Sequence, residues 1–150
     1  MTIKHTLLPV NDDTLIDLER LRAETFNTTP NYNFNWYVSS IQSGRCLPFG
    51  TYIDNELAAG AIIEQSNDVL HIILIFTKPK YQDSGLKLGR ELLNYIISNK
   101  EVIDQYYGSV INQVELSYMG KKSHEIYLKV GFQEEATDIE RQTHRMYKTI

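Results

Sequence analysis

One stretch, Val69 to Ile97 (VLHIILIFTKPKYQDSGLKLGRELLNYII), limits the folds open to this chain more than any other. It begins as an apolar run rich in β-branched residues, Val69 to Phe76, which predicts a strand buried on both faces. Pro79 ends the run, because proline has no N–H to give to a ladder and biases Lys78 away from helix. A loop follows from Lys80 to Lys87, with Gly85 inside it and Gly89 just beyond. Leu88, Leu92, Leu93, Tyr95, Ile96 and Ile97 then recur at helical spacing. Strand, glycine-containing loop and helix start in succession present backbone N–H groups to an anion, so a phosphate-bearing ligand is expected here.

The 150 residues predict a single domain spanning 1–150, large enough to bury about 68–70% of its unfolded surface. Hydrophobic content of 42% and charged content of 23% fit an ordinary globular protein. No apolar run approaches the roughly 20 residues that span a bilayer, and the first residues, MTIKHTLLPVNDD, lack the apolar core of a secretory signal. No membrane association and a cytoplasmic location are therefore expected. A single cysteine, Cys46, excludes an internal disulfide and a cysteine-based zinc cluster. A net charge of −4 argues against a nucleic-acid partner, although Lys78, Lys80, Lys87 and Arg90 gather around the central loop.

Before the central stretch, Ile3 to Leu8 reads as a strand closed by Pro9. Asn11, Asp12 and Asp13 are candidate caps for a helix from Thr14 to about Phe26. A second short helix is expected from Phe34 to Gln42, stopping at Ser43-Gly44. The aromatic residues Phe26, Tyr32, Phe34, Trp36 and Tyr37 suit packing on a sheet or the wall of an acceptor pocket. Pro48 to Ile53 and Glu56 to Glu64 form a hairpin through Asp54-Asn55. Ser66-Asn67-Asp68 then turns the chain into the central strand, completing an antiparallel meander. Beyond the central helix come a helical turn or two at Glu101–Tyr107 and a strand at Ile111–Tyr118. A helix from Lys121 to Val130 follows, and then strands at Phe132–Glu135 and His144–Lys148. The order β-α-α-β-β-β-α-β-α-β-β predicts an α/β (α+β) fold, a mixed and mostly antiparallel sheet flanked by helices.

The usual nucleotide loops do not fit. The G-x-G-x-x-G fingerprint of a Rossmann unit is missing, and no Gly-Lys-Ser/Thr opens the helix as in a P-loop. His5, His71, His124 and His144 show no metal-binding spacing, so no metal is expected. Ser84 lacks the G-x-S-x-G frame of a nucleophile elbow. What remains is a phosphate-bearing cofactor held mostly by backbone.

Three motifs then carry a resemblance. Tyr127-Leu128-Lys129-Val130-Gly131-Phe132 resembles the Y-x-K-x-G-F ending of the GNAT superfamily of N-acetyltransferases. Thr77-Lys78-Pro79-Lys80-Tyr81-Gln82 resembles that family's V-x-P-x-Y-R/Q lead into its acetyl-CoA loop, and Met146-Tyr147-Lys148 a frequent last strand. Together they cover the chain from about Leu57 to the end. The loop consensus, R/Q-x-x-G-x-G/A, matches Gln82, Asp83, Ser84, Gly85, Leu86 and Lys87 except that Lys87 replaces a small residue. Anchoring on Leu88-Gly89-x-x-Leu92-Leu93 fits the helix better but puts Ser84 where Arg or Gln belongs. Both registers stay open.

The resemblance implies a GNAT-like fold and transfer of an acetyl group from acetyl-CoA, a co-substrate, to a primary amine of a small molecule or peptide. Ile75, Phe76 and Thr77 would pair with the pantetheine arm. The N–H groups of the loop from Gln82 to Lys87, with Gly89, would take the pyrophosphate, assisted by Lys80, Lys87 or Arg90. Tyr127 stands at the position of the family's catalytic tyrosine and would protonate the departing sulfur. For the general base, His71 and Glu64 compete with water-relayed deprotonation. Counting by twos puts His71, Ile73, Ile75 and Thr77 on one strand face. Homodimers are common in the family. A catalytically inactive, CoA-binding regulatory module is the alternative, motivated by the imperfect glycine loop.

Overall fold

The computed structural model describes residues 1–32, 35–118, 127–138 and 143–150. Strand β1 (Ile3–Leu7) leads into α1 (Asp12–Thr25) and α2 (Trp36–Gln42). The meander β2 (Leu47–Ile53), β3 (Glu56–Ser66) and β4 (Val69–Thr77) follows, then α3 (Leu88–Ser98) and α4 (Lys100–Tyr107). Strand β5 (Gln113–Tyr118), a helical turn at 127–130, β6 (Gln133–Asp138) and β7 (Thr143–Thr149) complete the chain. The strands form one seven-stranded sheet in the order β1-β2-β3-β4-β5-β7-β6. Every neighbouring pair is antiparallel except β4 and β5. The mixed, mostly antiparallel sheet flanked by helices is the expected fold. Of the helix expected from Lys121 to Val130, residues 121–126 lie outside the described residues, as does Phe34 at the expected start of α2.

Local chemistry explains the elements. Asn11 caps α1 by accepting the Thr14 N–H at 2.9 Å, and Asp12 and Asp13 sit in the first turn, where the helix dipole favours anions. Leu15, Leu18 and Leu21 recur along the buried side of α1 and join Tyr37, Val38 and Ile41 of α2 in one apolar cluster with Ile62 and Phe76. On the other face of the sheet, Leu88, Leu92, Leu93 and Ile96 of α3 pack on Phe49, Ala61, Ile63 and Ile72. The hairpin turns at Asp54 and Asn67 both adopt left-handed backbone, with φ of 54° and 57°, as Asp and Asn tolerate better than most residues.

Two features of β4 depart from the sequence reading. The strand is not buried on both faces: Leu70, Ile72 and Phe76 are buried, whereas Ile73, Leu74 and Ile75 are only partly covered. Nor do His71, Ile73, Ile75 and Thr77 share a face. Ile62 pairs with Leu74 and Ile63 with Ile72, so Ile73 is a β-bulge with no partner on β3. One extra residue inverts the side-chain alternation beyond it. His71 therefore lies opposite Glu64, while Ile75 and Thr77 lie opposite Ala61 and Ala59 on the α3 side.

Glu19 is fully buried in α1. Arg22 Nη2 approaches its Oε1 at 2.5 Å, Arg22 Nε also donates to it, and the Asn31 N–H donates at 3.1 Å, which ties the α1–α2 connection down. Glu19→Ala would leave Arg22 without its buried partner. We expect it to lower unfolding free energy by about 3 kcal/mol or more, measured by urea denaturation. Asp17→Ala, which removes an exposed pair with Arg20, should change it by less than about 1 kcal/mol.

Candidate active site

The parallel ladder between β4 and β5 runs only from Val69↔Gln113 to Ile72↔Leu116. β4 continues to Thr77 and β5 to Tyr118 without further pairing to each other. The strands thus part just where the bulge lies, and the β4 edge from Ile73 to Thr77 has no strand partner on that side among the described residues. Thr77 O accepts from Thr25 Oγ1 at 3.2 Å and Gln82 Nε2 at 3.0 Å, and edge groups that lack such a partner are available to an extended ligand that adds itself like a strand.

A cavity of about 570 Å³ lies along this edge and against the start of α3. Ile75, Phe76, Thr77, Gln82, Asp83, Gly85, Lys87, Gly89 and Arg90 line it, together with Tyr127. These are expected cofactor and acid residues, brought to one place. Ser84 and Leu86 do not line it: the Ser84 hydroxyl turns back to donate to Tyr81 O at 2.7 Å, and the Leu86 N–H reaches Ser84 Oγ at 3.3 Å. Thr25, Phe26 and Lys129 also line the cavity. Sequence reasoning missed Thr25 and Lys129, although Lys129 stood within the quoted Tyr127–Phe132 motif, and offered Phe26 for the wall of an acceptor pocket.

The loop has the backbone of an anion cradle. Gly85 and Lys87 both take left-handed conformation, with φ of 81° and 53°, and such alternation turns successive N–H groups to one side. Nothing stands within 4 Å of where a Cβ on Gly85 would be, so the backbone there is open to a ligand. Lys87 is the residue before α3, whose N-terminal N–H groups carry the positive end of the dipole. Lys80 is engaged elsewhere: its Nζ donates to Glu56 Oε2 at 3.0 Å and lies over the Tyr81 ring. Lys87, Arg90 and Lys129 are the cations that line the cavity. A phosphate-bearing, extended ligand fits these residues.

The helical turn at 127–130 brings Tyr127 to the cavity, its ring 6.1 Å from Phe132 in an edge-to-face contact. Burial raises its hydroxyl above the usual tyrosine range, so it stays a neutral proton donor.

A second cavity, also about 570 Å³, opens on the opposite face at the point of divergence. Arg45, Glu64, His71, Ile73, Glu115, Ser117 and Arg145 line it. The two rival bases are thus cross-strand neighbours in one chamber. Arg45 Nε donates to Glu64 Oε1 at 2.7 Å while its guanidinium lies 5.2 Å from the centre of the Trp36 ring. His71 Nδ1 is 3.4 Å from Glu115 Oε2. Glu115 was not singled out in the sequence, where only the alternation of Gln113, Glu115 and Ser117 hinted at a polar strand face. Among the described residues no three His, Cys, Asp or Glu side chains are grouped to hold a metal ion. No helix of the described residues is long and apolar enough to cross a membrane.

A family model described as "Acetyltransferase (GNAT) family" matches residues 12–132. The chain belongs to that family. The GNAT fold is also that of solved structures at low identity. A PaiA N-acetyltransferase from Thermoplasma acidophilum, in complex with coenzyme A, superposes with a TM-score of 0.73 at 20% identity, covering 100% of both chains. The ribosomal-protein-S18-alanine N-acetyltransferase from Escherichia coli gives 0.69 at 20% identity over 99% of this chain and 94% of that one. Mutant forms of the spermidine/spermine N-acetyltransferase SpeG from Vibrio cholerae give 0.73 at 18% identity, over 99% and 95%. No curated protein sequence matches the chain.

Cys46 is fully buried, and burial pushes its thiol from 9.0 up to about 11. A two-unit rise lowers the thiolate fraction at pH 8 about a hundredfold. Labelling by a thiol reagent at pH 8 should accordingly be at least about a hundredfold slower in the native GNAT protein than in urea. Because the folded value lies above the unfolded one, the thiol should also make stability fall as pH rises from about 9 to 11.

Proposed function

We propose that this protein transfers an acetyl group from acetyl-CoA to a primary amine, directly and within a ternary complex. The observation that carries this reading is the parting of β4 from β5 between two cavities. One cavity follows the free edge and the α3 N-terminus, and the other holds carboxylates and a histidine on the opposite face. A thioester arm along Ile73–Thr77 would bring its carbonyl to the gap, where an amine from the second cavity can meet it. The left-handed pair Gly85 and Lys87 supports the register that aligns Gln82–Lys87 with the family loop.

Chemistry sets what the residues must do. An acceptor amine of pKa near 10.4 is about one part in 10³ neutral at pH 7, and supplying the neutral form costs roughly 4–5 kcal/mol. His71 or Glu64 would lower that cost by taking a proton or by holding the ammonium near the gap. Tyr127 would serve the sulfur. A tyrosine above pKa 10 is a poorer acid than a thiol near 8.5, so full donation to the thiolate is uphill by at least about 2 kcal/mol. The hydroxyl therefore acts chiefly by hydrogen bonding as charge develops on sulfur, with net transfer completed once the new amide nitrogen releases its proton. Burial of Cys46, with its thiol held protonated, favours this direct route over an acyl-cysteine intermediate. A single, buried thiol also suits a reducing compartment such as the cytoplasm.

Acetyl-CoA at a hundred times its Kd should raise the unfolding free energy by about 2.7 kcal/mol, read as a rise in Tm. Tyr127→Phe should lower kcat at least about tenfold while acetyl-CoA affinity stays within about threefold. Wild-type turnover should not be lost to ionisation of Tyr127 below pH 10, since its pKa is raised. Coenzyme binding without turnover over a broad amine panel would favour a regulatory module, and no stabilisation by saturating acetyl-CoA would refute both readings.

A further inference from the structure

Five polar residues stand in one row across the sheet on the face of the second cavity. Glu64 of β3 lies opposite His71 of β4, His71 opposite Glu115 of β5, Glu115 opposite Tyr147 of β7, and Tyr147 opposite Gln133 of β6. Neighbours along such a row stand within side-chain reach. The contacts divide it into defined groups. Arg45 takes up Glu64 at 2.7 Å, and the Tyr147 hydroxyl donates to Gln133 Oε1 at 3.1 Å. Gln113 Nε2 donates to Glu115 Oε1 at 3.1 Å, leaving Glu115 Oε2 turned toward His71 Nδ1 at 3.4 Å.

We propose that Glu115 is a positioning residue: it holds the Nδ1–H tautomer of His71, so that Nε2 is the base that deprotonates the acceptor. This rests on the acetyltransferase reading above. A carboxylate on one ring nitrogen decides which nitrogen carries the proton and stabilises the imidazolium that forms. At 3.4 Å the two atoms stand within ion-pair distance but beyond ordinary hydrogen-bond length, and the positioning role requires the contact to tighten once the ring is charged. The side chain of His71 is 39% exposed and that of Glu115 20%, so the ring reaches the cavity while its anchor is sheltered. Glu64 is taken up by Arg45, which leaves Glu115 as the carboxylate against the ring, and Arg145 of β7 also lines the cavity.

The step balances. His71 Nε2 takes one proton from the acceptor ammonium and passes it to solvent. The neutral amine attacks the thioester carbon, the C–N bond forms, and the C–S bond breaks with its electron pair leaving on sulfur. The second nitrogen proton, lost as the amide forms, balances the proton that sulfur gains.

The test compares Glu115→Gln, Glu115→Asp, His71→Ala and the His71→Ala/Glu115→Gln double variant, with wild-type turnover established first on an amine panel. Glu115→Gln should lower kcat at least about tenfold with the acetyl-CoA KM within about twofold, and Glu115→Asp should recover part of that loss. In the His71→Ala background Glu115→Gln should cost less than about twofold, because the two residues act as a unit. The ¹⁵N spectrum of the His71 ring should show Nδ1–H in the wild type and a shift toward Nε2–H in Glu115→Gln. Additive losses in the double variant, or the same tautomer with and without the carboxylate, would overturn the proposal. A wild type that acetylates no amine would instead overturn the acetyltransferase reading, and the ring spectra would still decide the pairing.

Discussion

Everything that gives this sheet a site follows from one irregularity, the place where β4 stops pairing with β5. A parallel pair that stayed in register to the end of both strands would satisfy its own backbone and leave nothing for a ligand. Here the ladder ends at Ile72 and Leu116, and the bulge at Ile73 sits at that same point. Bulges bend a strand and sharpen its twist, which moves the Ile73–Thr77 edge away from β5. The bulge also changes which side chains face which cavity. His71, before it, turns to the polar face with Glu64 and Glu115. Ile75 and Thr77, after it, turn to the face covered by α3.

The two faces are supported differently. On the α3 side, buried apolar residues that include Phe49, Leu88, Leu92 and Ile96 form a continuous core that fixes the α3 N-terminus against the strand end. The Pro79–Tyr81 turn and the left-handed residues Gly85 and Lys87 then carry the loop back to it. On the other side, α1 and α2 cover only part of the sheet, and the remaining strip is polar. Thr25 Oγ1 donates to Thr77 O at 3.2 Å, and Lys78 reaches Glu56 at 2.7 Å, so the end of α1 and the hairpin brace the mouth of the cleft.

Much of this was legible in the residues. The hairpin turns, the cap at Asn11, the stop at Pro79 and the stripe from Leu88 to Ile96 each follow from local rules that tertiary packing did not override. Gln82, Gly85, Lys87, Gly89 and Tyr127 were found through motif resemblance, and the fold brings them to one cavity. What escaped was non-local. A bulge inserts a residue without any composition signal, so alternation by twos put His71 on the wrong face. The end of the β4–β5 ladder depends on a strand more than forty residues away in sequence. Glu115 acquires its place only through that parallel register, and Lys129 only once the turn at 127–130 is docked against the cleft.

The central claim is that the free edge of β4 receives the thioester arm of the coenzyme. Amide hydrogen exchange, followed with and without saturating acetyl-CoA, reads that edge directly. Exchange at Ile73 to Thr77 and at the loop from Gln82 to Gly89 should slow at least about tenfold on binding, while the β1–β2 pair is unaffected. Unchanged exchange along Ile73–Thr77 at a coenzyme concentration that saturates the protein would contradict it.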